Sequence, residues 1–234
     1  RGTERDGVFT IETAQVQNPR LNVTAQGKLG QGATDLNAEL RADDLRFLGQ
    51  GFRGALQATA RVADRPDGAR AITARGTARG LAVGNPQADA VLAGETTFEL
   101  DAAQQANGGL TVSRLQAGNG QFRVTGDGSP ATGLNLDARL NDLGLLVPGF
   151  PGPAGVRGRI QNTGPAYQVD LTATAPGDTD ARITGTAAAN LQSMDIRVQG
   201  TSNAAAANPF LRTRSVEGPL SFDPVSYTHL TLPT

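Results

Sequence analysis

Few residues in this chain are able to do covalent or metal chemistry, and their spacing argues against catalysis. The chain has no cysteine and one histidine, His229. Cys-His and Ser-His nucleophile arrangements therefore have no partners away from that one residue, and a His-based zinc site lacks its ligands. Asp43 with Asp44 and Asp178 with Asp180 stand as paired carboxylates, but nothing beside them has the spacing of a calcium loop. They read as solvated turn acids. Gly118-Asn119-Gly120 fails the dinucleotide fingerprint because Arg123 stands where the third glycine belongs. Gly149, Gly152, Gly155 and Gly158 lead too few triplets for collagen and read as a loop entering a strand. Asn22-Val23-Thr24 is a glycosylation sequon in spelling only. Arg139, Arg157, Arg159, Arg182 and Arg197 are able to pair with Asp or to bind lipid phosphates, and are expected to be solvated strand charges that discourage edge pairing. The chain is expected to be no enzyme and to hold no cofactor or metal.

The elements that position these residues follow from a short apolar-polar alternation. In Leu134, Leu136, Ala138 and Leu140 the intervening residues are Asn135, Asp137 and Arg139. An extended chain puts the hydrocarbon of that run on one face and its polarity on the other. Runs of this kind lie at 9–11, 21–29, 36–42, 56–62, 72–78, 96–100, 110–112, 122–126, 134–140, 156–160, 167–175, 183–187, 194–200 and 220–222. Their period and bounding turns predict strands. The predicted turns are Gly30-Gln31-Gly32, Pro66-Asp67-Gly68, Asn107-Gly108-Gly109, Gly126-Asp127-Gly128 and Pro176-Gly177-Asp178. Short loops between successive strands favour an antiparallel meander.

Composition narrows the function class. A net charge of −1 gives no electrostatic argument for nucleic acid. Eight Phe, two Tyr and no Trp weigh against a tightly interdigitated two-sheet core. Lys28 is the single lysine among many arginines, and Ala and Gly abound, the pattern of a GC-rich bacterial genome. No targeting signal is legible, and no stretch approaches about 18 consecutive apolar residues. Residues 225–234 break from the preceding composition, with no Ala, Gly or charged side chain, and resemble a translated sequencing-adapter read. The expectation is an internal fragment, with 1–224 belonging to one elongated β-trough and 225–234 a non-native tail.

A longer pattern interrupts the meander. Asp44-Leu45-Arg46-Phe47-Leu48 precedes Gly54-Ala55-Leu56, and Asp142-Leu143-Gly144-Leu145-Leu146 precedes Gly155-Val156-Arg157-Gly158-Arg159-Ile160. A third version runs from Ala204 to Leu211 before Gly218-Pro219-Leu220. Each is either a short helical or irregular segment that plugs one end of a sheet, or a plain crossover loop. Serial Leu-x-Leu-x-Ala strands joined to such segments resemble the repeated body of TamB-type translocation and assembly module proteins, of the AsmA-like superfamily. The resemblance covers most of 1–224 and rests on texture and loose repeats. It implies an all-β, elongated, curled antiparallel sheet forming an apolar trough, in the periplasm, with an inner-membrane anchor outside this fragment. It further implies phospholipid passage to the outer membrane, support of outer-membrane protein assembly, and a barrel partner of the Omp85 class.

The physical case for a lipid conduit stands beside the resemblance. Exposing an acyl chain to water costs about 0.8 kcal/mol per CH₂, and a continuous hydrocarbon-lined trough removes that barrier. Strands of about seven residues give walls roughly 23 Å across, and about a dozen strands extend roughly 60 Å. The candidate lining residues are Leu21 and Val23, Leu36 and Leu40, Leu56 and Val62, Phe98 and Leu100, and Leu110 and Val112. They continue with Phe122 and Val124, Leu134, Leu136 and Leu140, Val169 and Leu171, Ile183, and Ile196 and Val198. The bland alternative for each is an ordinary dry core. Rival function classes are the β-helical shaft of an adhesin or autotransporter passenger, with coils of near-constant length, and a carbohydrate-active β-sandwich or enzyme accessory domain, for which no aromatic platform is visible.

Overall fold

The computed structural model describes residues 1–189, 193–211, 215–223 and 225–229, the last of these as backbone. The chain divides into two compact units, Arg1–Gln121 and Phe122–Thr234.

The first unit is an antiparallel meander of eight strands: β1 (Gly2–Arg5), β2 (Val8–Asn18), β3 (Leu21–Leu29), β4 (Asp35–Ala42), β5 (Arg53–Asp64), β6 (Arg70–Ala82), β7 (Glu95–Gln104) and β8 (Leu110–Gly118). Each pairs with the next in chain order. The second unit repeats the scheme with β9 (Phe122–Ser129), β10 (Gly133–Leu140), β11 (Ala154–Asn162), β12 (Ala166–Ala175), β13 (Thr179–Ala188) and β14 (Ser193–Asn203). Two short strands, β15 (Pro219–Phe222) and β16 (Val225–His229), share the outer edge of β14, one on each half. The fold is therefore all-β and antiparallel, as the alternation predicts. Neither unit closes into a barrel among the described residues. Pairing of sequence neighbours in antiparallel is not the parallel coil that a β-helical shaft requires.

All the alternating runs are strands, most of them longer than the runs themselves. β5 and β6 extend to 12 and 13 residues, β5 adding Arg53-Gly54-Ala55 and Ala63-Asp64 to its run and β6 adding Arg70-Ala71 and Arg79-Gly80-Leu81-Ala82. One predicted turn is wrong. Gly126-Asp127-Gly128 lies inside β9, where Gly126 pairs with Leu136 and Gly128 with Leu134, and the chain reverses instead at 130–132. At Gly128 the strands approach so closely that a Cβ would overlap the Gly133 carbonyl oxygen. β1 and a short helix, α1 (Pro86–Leu92), had no sequence signal strong enough to predict them.

The interrupting segments are helical. A 3-10 turn covers Leu45–Leu48, another Leu143–Leu145 and a third Ala204–Phe210. Each starts from an extended Asx residue whose side chain accepts a backbone N–H two residues on: Asp44 from Arg46, Asp142 from Gly144 and Asn203 from Ala205. α1 begins the same way, with Asn85 accepting from Gln87 and Ala88. In an antiparallel meander, connections from even to odd strands all lie at one rim of the sheet. Within the first unit the turn after β4 and α1 after β6 share that rim; within the second, the turns after β10 and β14 share theirs.

The core is small. Ala42, Leu45, Ala69, Ala78, Ala102 and Ala187 are buried, but among the described residues no large side chain is fully buried. The accessible surface is 15006 Å² for 24.1 kDa, where a compact monomer of that mass exposes roughly 10,000 Å². Within each unit the sheet is a single layer, so its apolar face stays half open to solvent.

Candidate functional site: the apolar face of the sheet

Residues directly opposite in an antiparallel ladder share a face, so the registers decide where each candidate side chain lies. In the first unit Leu21 pairs with Ala42, Val23 with Leu40 and Gly27 with Leu36. Leu36 in turn pairs with Val62 and Ala42 with Leu56. Ile72 links Val62 to Ala102, while Leu100 and Phe98 follow from Ala74 and Gly76. The candidate lining residues of this unit, through Leu110 and Val112, thus all fall on one face.

Leu115 also belongs to that face, although its parity is opposite to that of Val112. The ladder between β7 and β8 pairs Asp101 with Arg114 but Ala102 with Val112, leaving Ser113 as an extra residue. This bulge returns Leu115 to the apolar side, opposite Leu100, with Ala117 opposite Phe98. A strict alternation count cannot see such a residue. A second bulge, between Ile11 and Ala14, does the same for Ala14 and Val16.

The second unit is arranged alike. Phe122 and Val124 pair with Leu140 and Ala138, and Leu136 sits between Gly126 and Gly158. Leu171 follows Gly158 and is itself opposite Ile183, which meets Val198. A neighbouring row runs Leu134, Ile160, Val169, Gly185, Ile196. Every candidate lining residue of this unit shares that face too. Ile160, absent from the candidate set, stands among them because it lies on the apolar parity of an arginine-rich strand.

The floor of the face is graded in size. Across five strands of the first unit the register aligns Ala14, Ala25, Ala38, Ala60 and Ala74 in one row. It is flanked on one side by Val16, Val23, Leu40, Ala58 and Gly76, and on the other by Ile11, Gly27, Leu36, Val62 and Ile72. Each alanine has a larger aliphatic neighbour on at least one side, so the row of methyl groups is a shallow furrow running across the strands, walled on both sides at β2 and β4. At about 4.8 Å per strand it spans roughly 19 Å, a little more than the roughly 15 Å of hydrocarbon in one bilayer leaflet. In the second unit Ala138, Val156, Ala173, Ala181 and Gly200 form the corresponding row.

The opposite face carries the charges. Arg75 pairs with Glu99 at 3.0 Å, Arg61 with Asp35 at 2.9 Å and Arg182 with Asp170 at 3.0 Å. Such exposed pairs contribute little each, but they mark this face as solvated. The Arg61 guanidinium beside Asp35 holds its carboxyl below the usual range, and Arg197 does the same for Asp223. Of the arginines singled out in the sequence, Arg139, Arg182 and Arg197 are paired with aspartates. Arg157 and Arg159 form no ion pair among the described residues, although Asp137 and Asp170 stand opposite them in the ladder.

The rim segments are held by polar contacts and expose apolar side chains. Asp44 is held down to about 2, first by the Arg46 side chain and then by the Arg46 backbone N–H. Asp142 accepts from the backbone of Gly152 and Gly144, both at 2.9 Å, which keep its carboxyl below the ordinary range. The Asn119 amide donates to the carbonyls of Val91 and Ala93, while its oxygen accepts from Gln121. That glycine-flanked asparagine ties the end of α1 to the sheet. Leu45 is buried at its rim, but Phe47, Leu48, Phe52 and Val83 remain exposed. In the second unit the Phe150 and Phe210 rings stack with centroids 5.5 Å apart, joining the two capped segments.

Comparison of the chain with protein-family models, curated proteins and solved structures gave no match. His229 lies in β16, whose backbone pairs with β14, while residues 230–234 of the expected tail lie outside the described residues. Among the described residues no helix is long and apolar enough to cross a membrane.

Proposed function

We propose that this chain is a section of a periplasmic, bridge-like protein whose apolar β-face conducts phospholipid acyl chains from the inner towards the outer membrane, in the manner of the TamB-type proteins it resembles. Support of outer-membrane protein assembly beside an Omp85-class barrel belongs to the same reading. The observation that carries the acyl-chain reading is the half-open apolar face with its alanine furrow. An ordinary core covers its large aliphatic residues. Here they line a single layer, and among the described residues no large one is fully buried.

The energetics favour a chain lying in the furrow. Each methylene removed from water gains about 0.8 kcal/mol, and the flanking aliphatic residues supply contact on at least one side at every strand without enclosing the chain. A contact spread over many small residues has no single deep well. An acyl chain is thereby able to slide from strand to strand, which a conduit needs more than tight retention. The single His and absent Cys leave the face without an obvious nucleophile, consistent with carriage rather than conversion.

Filling the furrow tests this reading. Ala38→Phe and Ala60→Phe place rings on the floor where the register aligns methyl groups. Both variants are expected to keep the β-sheet circular dichroism of the parent and to bind a fluorescent fatty acid severalfold more weakly. Unchanged probe binding in folded variants would contradict the furrow as the acyl site.

A further inference from the structure

A second surface, on the face opposite the apolar rows, has the makings of a ligand site. On the polar side of β9 to β12 lies a bowl of about 510 Å³, lined by Thr125, Asp127, Asn135, Asp137, Arg157, Arg159, Asp170 and Thr172 and floored by the strand stretches at Leu136 and Gly158. The registers place Arg157 between Asp137 and Thr172, and Arg159 between Asn135 and Asp170. Each arginine therefore has an aspartate directly across the ladder.

Neither pairs with it. Asp137 is taken by Arg139, its neighbour on the same strand, through two hydrogen bonds of 3.1 and 3.3 Å. Asp170 is turned the other way, to Arg182, through two of 3.2 and 3.0 Å. The carboxylates that would neutralise Arg157 and Arg159 are thus committed outward, to the arginines flanking the bowl. No ion pair or side-chain hydrogen bond involves the Arg157 or Arg159 guanidinium among the described residues. Arg159 is nonetheless positioned: its guanidinium lies over Gly133, filling the space a Cβ there would occupy. The remaining acid, Asp127, accepts from the Asn135 amide at 3.2 Å. Arg123, across the ladder from Arg139, adds a further cation at the border. The bowl's own lining holds two arginines and three aspartates, and the patch is positive once Arg123, Arg139 and Arg182 at its border are counted with them.

We propose that Arg157 and Arg159 form an oxyanion site for a phosphate group. Planar guanidinium groups donate in pairs to phosphate oxygens, and charge-assisted bonds of this kind are stronger than neutral ones. Two such forks on alternate residues of one strand offer donors to more than one oxygen of the same phosphate, and the Thr125 hydroxyl lies at the bowl's wall. The phosphate belongs either to a soluble phosphate ester or to the headgroup of a phospholipid. The site does not depend on the acyl-chain reading, since it occupies the other face.

The test is an NMR titration of the full chain following the arginine Nε–H resonances, with inorganic phosphate in one arm and glycerophosphoglycerol, a phospholipid headgroup, in the other, at constant ionic strength. Saturable shifts confined to Arg157 and Arg159, with Arg139 and Arg182 unmoved, are the expected result. Arg157→Gln with Arg159→Gln is expected to weaken binding at least tenfold with the remaining spectrum unchanged. Binding of phosphate alone assigns the soluble source, binding of the diester alone the headgroup, and binding of both an oxyanion site blind to its substituents. No saturable shift in either arm, or shifts spread evenly over all arginines, overturns the proposal. So does binding unaffected by Arg157→Gln or Arg159→Gln, which replace exposed side chains and leave the fold intact.

Discussion

Gly158 of β11 stands in one cross-strand row between Leu136 and Leu171, and its backbone approaches β12 so closely that a Cβ on residue 158 would overlap the carbonyl oxygen of Asp170. The arrangement recurs. Gly185 faces Ile196 and meets the Asp195 carbonyl; Gly27 faces Leu36 and meets the Asp35 carbonyl. All three glycines have positive φ, at 149°, 145° and 135°. Each sits on the apolar face across from an Asp-Leu or Asp-Ile step, so the kink and the space for the aliphatic side chain come together. Glycine kinks and bulges are the devices that curve a β-sheet.

A side chain at these kinks collides with backbone, which cannot swing aside. Gly158→Val and Gly185→Val are each expected to destabilise the protein by about 2 kcal/mol or more. Gly120→Ala, at a residue with open space around it and no positive φ, is expected to fall within about 0.5 kcal/mol of the parent. Urea unfolding of the three variants checks this. Equal stabilities would show the close approach to be unimportant.

Polar substitutions on the apolar face separate a groove from a core. Leu136→Asp and Leu171→Asp place a carboxylate in the central row of the second unit, at positions only partly shielded from solvent. Both variants are expected to fold, with unchanged far-ultraviolet circular dichroism, and to lose the share of fluorescent acyl-probe binding that the face of the second unit supplies. A dry core predicts the reverse: a buried charge unfolds the protein outright. Folding and binding must therefore be measured on the same sample.

The caps make a conformational prediction at the rim. Asp142→Ala removes the acceptor shared by Gly144 and Gly152, and is expected to lower the melting temperature by about 2–4 °C. Asp142→Asn retains an oxygen in the same place and is expected to recover most of that loss. An alanine variant that melts with the parent would show that the 3-10 turn is held by other means.

Acid sensitivity follows from the depressed carboxyls. Asp44, held to about 2 by Arg46, is joined by Asp64, whose carboxyl is lowered first by the Thr34 N–H and then by Arg70, and by Asp35, Asp142 and Asp223. A carboxyl whose folded pKa lies below its unfolded value of about 3.9 stabilises the fold above that value and ceases to do so as pH falls through the folded pKa. Stability due to these groups is therefore expected to be level from pH 7 to about 5 and to decline between about 4 and 2. Thermal melts across that range check it; a decline already complete by pH 5 would assign the acid response to other groups.

Much of this was legible in the sequence, for reasons that also mark the limit. A period of two with short Gly, Pro and Asp turns determines both strand and face, so the placement of Leu134, Leu136 and Leu171 could be read directly. Leu115 could not, because a one-residue bulge inverts parity without altering composition. Gly126-Asp127-Gly128 looks like a turn to any local rule, and is a strand through its cross-strand pairing with Leu134 to Leu136. The alanine furrow depends on cross-strand register, which a single strand does not contain. The separation of Arg157 and Arg159 from Arg139 and Arg182 depends on which way two aspartates turn. That choice is made by three-dimensional neighbours and has no trace in the spacing.

The central claim is that the apolar face holds acyl chains, and native mass spectrometry of the protein purified from a bacterial host, followed by lipid extraction, tests it most directly. The account predicts a folded, β-rich protein that retains phospholipid in defined stoichiometry and releases it when Ala38→Phe and Ala60→Phe fill the furrow. A folded protein that carries no lipid and does not bind added fluorescent acyl probes would contradict it.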